Sequence, residues 1–240
     1  VSLRFSDFEA ILEEIGSQAS VAPYYQGSAS VMNGDRSANA SVIGITPTYT
    51  HVNEYEIDKG RFISSQDNLE KSYVVVLGAT SAEDLFAGLN PINREIKING
   101  KAFTVIGVLA AKGTNDDLVL IPLETGYDVV FGAQAKSEGV YTLSGISLSA
   151  KNADKVDAII ARIEFILRRE HGLTLTEDLS FTVSSQSQML ESLSSISGTL
   201  TTMLGAIAGI SLLVGGIGIM NITLVSVRER TREIGLRKAV

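Results

Sequence analysis

The run over residues 203–227, MLGAIAGISLLVGGIGIMNITLVSV, most constrains what this chain can become. It carries no charged residue, and Asn221 is its one strongly polar side chain. Crossing roughly 30 Å of hydrocarbon at about 1.5 Å per residue takes about 20 apolar residues, so the run is long enough to span a bilayer. Its twelve Leu, Ile and Val residues favour insertion by roughly 5 kcal/mol, part of which the five glycines and Asn221 give back. The rival reading is a buried helix in a soluble domain. There each glycine would cost about 1 kcal/mol relative to alanine, whereas membrane helices use glycine for close packing. The membrane reading is the better one.

The flanks set its direction. RERTREIGLRKAV follows at once, placing Arg228, Arg230, Arg232, Arg237 and Lys238 against only Glu229 and Glu233. Upstream, no Lys or Arg occurs between Glu170 and Val227. Excess positive charge marks the cytoplasmic side, so residues 228–240 are expected in the cytoplasm and everything before about Leu200 outside. The expected localisation is a cell (inner) membrane, with an extracytoplasmic domain on the outer end of one membrane helix.

The whole chain holds 20 basic and 27 acidic residues; removing the five and two of the tail leaves 15 and 25, a net −10, in residues 1–227. So acidic a domain lacks the positive charge that releases phosphate counterions, and no nucleic-acid partner is expected. With no cysteine, disulfides are absent and the redox compartment is not readable. Val1 is not a start and no signal peptide is visible, so an excerpt of a longer chain, targeted by an upstream segment, is expected.

Ser6-Asp7-Phe8-Glu9 reads as a capping box, and Phe8, Ile11, Leu12 and Ile15 form an apolar helix face ending at Gly16. Strands are expected at about 19–32 and 37–46 around the turn Asn33-Gly34-Asp35. The run Tyr73-Val74-Val75-Val76-Leu77 suits a buried central strand, and Thr80 to Ala87 a helix. Residues 94–98 and 101–109 flank Asn99-Gly100, the strongest hairpin signal; 118–121 is another strand, and 122–131 a helix. A strand at 141–149 precedes the candidate caps Asn152 and Asp154. Val156, Ile159, Ile160, Ile163 and Leu167 then make a helix face before Gly172, and a strand at 179–184 closes a βαβ-like unit.

The expected fold class is therefore α+β. A split α/β subdomain over 1–50 and 138–186 is interrupted by a β-rich insertion over 51–137. A helical stalk at 187–202, the transmembrane helix at 203–227 and a cytoplasmic segment at 228–240 follow. The stalk rests on spacing, since Ser/Thr-rich composition alone suggests an irregular tether. Met189, Leu193, Ile196, Leu200, Met203, Ile207, Ile210, Val214, Ile217, Asn221 and Leu224 recur in alternating steps of four and three, a heptad stripe. It predicts one helix from stalk into membrane, packing against other helices or its symmetry mate. Gly205 and Gly209 permit close approach, and Asn221 could set register.

Catalytic chemistry finds little support. His51 and His171 lie far apart, outside any metal-ligand spacing, and read as solvated or structural. Asp116-Asp117 reads as turn chemistry, Gly100-Lys101 lacks the upstream glycine of a phosphate loop, and no serine sits in a nucleophile elbow.

Residues 215–240, GGIGIMNITLVSVRERTREIGLRKAV, closely resemble the signature at the second transmembrane helix of MacB-type (FtsX-like) ABC-transporter permeases. The likeness covers the glycines, Met220-Asn221 and Glu229-Arg230-Thr231-Arg232-Glu233-Ile234-Gly235, with departures at Thr223 and Arg228. Weaker similarity to the family's extracytoplasmic domain lies in Gly60-Arg61-Phe62, Val74–Gly78, Leu85-Phe86 and Val105-Ile106-Gly107-Val108.

The resemblance implies a homodimeric permease whose outer domain lies between its first and second transmembrane helices. It implies mechanotransmission: a cytoplasmic ABC ATPase domain or subunit moves the membrane helices, and the outer domain receives that motion. Arg228, Glu229, Arg230, Arg232, Glu233, Ile234 and Arg237 would couple to the ATPase, and Met189, Leu193, Ile196, Leu200, Gly205, Gly209 and Asn221 would pack helices. No enzyme activity and no cofactor are expected in this segment, ATP and magnesium belonging to the ATPase. Export of a drug, peptide or toxin with an extracytoplasmic adaptor is the leading function. An FtsX-like relay regulating a cell-wall hydrolase is the alternative, and a membrane-anchored hydrolase is disfavoured.

Overall fold

A computed structural model describes residues 2–113, 116–174 and 182–239, with the side chains of Arg237 and Ala239 excepted. The chain forms two units, Val1–Val183 and Ser184–Val240. In order, the first contains β1 (Leu3–Arg4), α1 (Phe5–Ile15), β2 (Ala19–Asn33), β3 (Arg36–Ile45), α2 (Thr48–Val52) and β4 (Ile57–Gly60). Next come α3 (Ser65–Leu69), β5 (Val74–Leu77), α4 (Ala79–Phe86), β6 (Glu95–Ile98), β7 (Lys101–Leu109), β8 (Leu118–Pro122) and α5 (Leu123–Thr125). A π turn (Gly126–Phe131) and a 3-10 turn (Gly132–Ala135) lead to β9 (Lys136–Ser137), β10 (Val140–Leu143), β11 (Gly145–Ala150) and α6 (Val156–Glu170). The second unit is one helix, α7 (Gln186–Ala239).

Two tight turns organise the sheet. Asn33 pairs with Arg36 across Gly34-Asp35, with Gly34 at φ +59° in the first turn position, the II′ pattern. Asn99 and Gly100 both have positive φ, +48° and +80°, as the I′ turn joining β6 to β7 requires. Around these turns the strands pair in a ring. β2 pairs β3, β3 pairs β8, β8 pairs β5, β5 pairs β7, β7 pairs β6, and β6 returns to β2 at Val31 and Met32. Two of these pairings, β3 with β8 and β5 with β7, are parallel. β11 and β4 extend the ring along β2 and β7, while β1, β10 and β9 form a separate three-stranded sheet.

Strand alternation sends every second side chain inside the ring. Ala29, Val31, Ala40, Val42, Val75, Leu77, Ile96, Ile98, Phe103, Val105, Val119 and Ile121 fill it as one buried cluster. The alternate residues Ile43, Ile45, Val76, Leu118 and Leu120 face outward into a second cluster with Tyr49 of α2 and Ile63. β5 is central, with Val75, Val76 and Leu77 wholly buried, as its unbroken apolar run requires. The ring takes two strands from residues 1–50 and four from 51–137, so one sheet joins both sequence segments. A third cluster draws only on the two outer segments: Ile11, Ile15, Ala19 and Val21 against Ile159, Ile163, Ile166 and Leu167.

Four local expectations are corrected. The capping box falls two residues earlier: α1 starts at Phe5, and Asp7, not Glu9, accepts the N–H of Arg4 at 2.7 Å. Asp7 is held there because His171 also binds it, so a tertiary partner overrides the local cap. On α6, Ile166 is fully buried, whereas Val156 and Ile160 are only half-buried. The strand at 141–149 divides at Ser144 into β10 and β11, which join different sheets. The helix over 122–131 is one α turn followed by the wider π turn. That turn seats the Phe131 ring where a Cβ at Gly27, Gly44 or Gly126 would come within 2.6–3.1 Å of it. The strand at 179–184 begins outside the described residues.

Candidate functional site

The residues singled out for function lie on α7. Ser185 opens this helix with a reciprocal box: the Gln188 N–H donates to Ser185 Oγ, and the Ser185 N–H to Gln188 Oε1, both at 3.2 Å. The Ser-x-x-Gln spacing was a signal in the sequence that the reading of caps missed. Through the Ser/Thr-rich stretch, the hydroxyls of Ser192, Thr199, Thr201 and Thr202 each donate to the carbonyl four residues back, at 2.9–3.0 Å. Ser211, Thr223 and Thr231 do the same further on. These hydroxyls find their acceptors within the helix itself, so the stretch is helical with its side-chain donors satisfied.

α7 has 54 residues. At about 1.5 Å per residue its length is about 80 Å, well beyond the hydrocarbon thickness. Met189, Leu193, Ile196 and Leu200 follow one another along it, and they and the other large apolar residues of the helix are 46–80% exposed. An apolar surface of this extent needs lipid or other helices to cover it. Gly205 and Gly209 stand one turn apart with open space above both, and Asn221 lies on the same helix near the start of its C-terminal third. Arg228, Glu229, Arg230, Arg232, Glu233 and Ile234 occupy its last turns, with Arg228 and Arg232, and Glu229 and Glu233, at four-residue spacing. The side chain of Arg237 lies outside the described residues.

The polar groups of the first unit described below serve its architecture. Arg61 grips Asp67 with both guanidinium arms, at 2.6 and 3.0 Å, and Asp67 also accepts from the N–H and Oγ of Ser64 to cap α3. The Arg61 bond, with the Ser64 bonds behind it, holds the Asp67 carboxyl well below the usual carboxylate range. Arg61 donates its N–H to Ile106 O, where a Cβ on Gly60 would collide, and a Cβ on Gly107 would strike Arg61 O. The motifs Gly60-Arg61-Phe62 and Val105-Ile106-Gly107-Val108 are thus two sides of one close backbone crossing. Lys71 binds Asp128 at 2.6 Å, lowering the Asp128 carboxyl, and Asp116 accepts the N–H groups of Lys112 and Gly113. His51 is exposed on α2, and His171 is buried against Asp7. Among the described residues, no group of three or more His, Cys, Asp or Glu side chains is placed to hold a metal.

The sequence pattern of the MacB-like periplasmic core domain matches residues 2–166. The chain belongs to that family. The MacB-like core therefore corresponds to the ring with its extensions β11 and β4, the separate three-stranded sheet and most of α6. Along almost its whole length the chain is 38% identical to a macrolide export ATP-binding/permease protein MacB of Marinobacter nauticus, covering 98% of this chain and 35% of that protein. An uncharacterized ABC transporter permease of Bacillus subtilis, YknZ, is 37% identical over 86% of this chain and half of its own length. The chain thus spans about a third to a half of the curated relatives it matches. In fold it resembles the crystal structure of the periplasmic region of MacB from Actinobacillus actinomycetemcomitans, with TM-score 0.67 and 20% identity over 81% of this chain and 84% of that one. The extracellular domain of YknZ follows, with TM-score 0.61 and 19% identity over 72% and 86%. The MacB-like architecture, a mixed α/β outer domain followed by a long apolar helix, is that of an ABC transporter permease with a periplasmic domain.

Proposed function

We propose that this chain is the extracytoplasmic domain, stalk and second transmembrane helix of a MacB-type permease. It relays ATP-driven motion from a cytoplasmic ABC ATPase, fused or separate, to its outer domain for export of a drug, peptide or toxin. The observation that supports this reading is α7, one helix from Gln186 to Ala239, along which the four-three stripe, the apolar run and the charged residues 228–238 all fall. Relatives named for macrolide export support an export role. In this reading residues 1 to about 200 are extracytoplasmic, 203–227 lie in the membrane, and 228–240 are cytoplasmic. The division of the outer domain at 50/51 and 137/138 belongs to the same proposal, as do a homodimer and an extracytoplasmic adaptor.

The tail separates coupling from anchoring. A simple anchor needs only positive charge, whereas Glu229 and Glu233 interleaved with arginines suit a charge-complementary docking surface. Glu229→Lys with Glu233→Lys strengthens the positive-inside signal, so insertion should persist. Export should fall at least tenfold while ATPase activity remains. Normal export in the double variant would leave anchoring as the tail's whole role. Loss of control over a cell-wall hydrolase, with no effect on export, would favour the FtsX-like relay.

A further inference from the structure

α1 and α6 are separated in sequence by the whole ring, yet they pack as an antiparallel pair, with Asp7 beside His171 and Glu14 beside Arg162. Their apolar seam, Ile11 and Ile15 against Ile159, Ile163 and Ile166, belongs to a cluster distinct from the ring interior. Apolar burial is non-directional, so this seam sets proximity better than it sets sliding or rotation. Polar contacts near both ends of α1 supply what the seam lacks. At its start, Asp7 Oδ2 lies 3.0 Å from His171 Nε2, with the two side chains only 2% and 6% exposed. At its end, Glu14 is held by Arg162 at 2.6 Å and by Arg169 at 2.7 Å, and the Arg169 bond foremost holds its carboxyl below the usual range. Arg162 also lies over the Phe165 ring, 5.3 Å from its centre, which braces it along α6.

We propose that Asp7 and Glu14 form a two-point clasp that makes α1 and α6 one cooperative part, opening and closing together and separately from the strand ring. The ring closes through its own backbone pairing; Ala19 and Val21 of β2 join the clasp's seam, whereas the clusters that bury β5 and β8 have no α1 or α6 residue among their buried members. The last helix before the segment that leads to α7 is thereby tied to the first helix of the domain. This inference stands on the clasp geometry and does not require the export reading.

Amide hydrogen exchange on the full-length protein tests it. Glu14→Gln keeps the shape but removes the charge that two arginines share. Loss of a charge-assisted bond should speed exchange about tenfold, in α1 and α6 alike, while β5 and β8 keep the wild-type rate. Asp7→Asn should produce the same paired response from the other end. Should Glu14→Gln fail to fold, Arg169→Gln, altering a half-exposed side chain, carries the same test. Acceleration in one helix only, in the ring equally, or in neither would overturn the clasp.

Discussion

Asp67 shows how one carboxylate can hold a loop, a helix and a strand together. It binds Arg61 of the backbone crossing and caps α3 through Ser64, with its side chain 9% exposed. Because its folded-state value lies below that of the unfolded chain, its contribution is complete above the ordinary carboxylate range and fades as pH falls below about 4. Asp67→Asn should therefore lower stability at pH 7 by about 1–3 kcal/mol, from one cap and one partly screened ion pair. The variant's melting temperature should also fall less than the wild type's between pH 5 and pH 3. An equal fall in both proteins would show that other groups govern the acid limb. Gly60-Arg61-Phe62 was legible as a family likeness, but its reason was not: the partner, Ile106, lies 45 positions away, and no local spacing announces it.

At the scale of the element, continuity of α7 is the property the proposed relay requires. A rigid helix transmits displacement, and a flexible tether of the same length absorbs it. Inserting two glycines after Ser195 would shift the four-three stripe and soften the stalk, adding roughly 1 kcal/mol of helix penalty per glycine. Export should fail while ATPase activity and the fold of the outer unit persist; unchanged export would sink the rigid-stalk idea. The helix itself was readable because periodicity outweighs composition: Leu193, Ile196 and Leu200 keep the stripe through a segment, 192–202, that is otherwise Ser, Thr and Gly198. The hairpins at Gly34 and Gly100 were readable for a similar reason, since their turn residues act within four positions. The start of α1 was not, because His171 fixes Asp7 from the far end of the unit.

Across the whole molecule, orientation is the first thing to measure. A cysteine is best placed at Lys101, exposed beside the β6–β7 turn, because Asn99 needs positive φ that cysteine adopts poorly. In this cysteine-free chain, Lys101→Cys should react with an impermeant reagent in intact spheroplasts. Labelling only after the membrane is permeabilised would reverse the topology. The individual strands could be read from the sequence, but their closure into a ring could not. Closure depends on non-local pairing, Val31 with Ile98 and Ser41 with Leu118, which alternation alone does not specify.

That ring also sets an order of assembly. β2 and β3 are made before β8 and can form their hairpin at once, but β3 has no second neighbour until β8 follows, and the parallel pairing spans more than 70 residues. α1 waits longer still, since its seam on α6 and its bond to His171 need nearly the last of the domain. Until then the growing chain exposes open strand edges and unburied isoleucines. The interval between β3 and α6 is therefore when this domain is most open to degradation and mispairing. Slowing the synthesis of residues 46–155 should therefore lower the yield of folded domain, read as the fraction that resists protease.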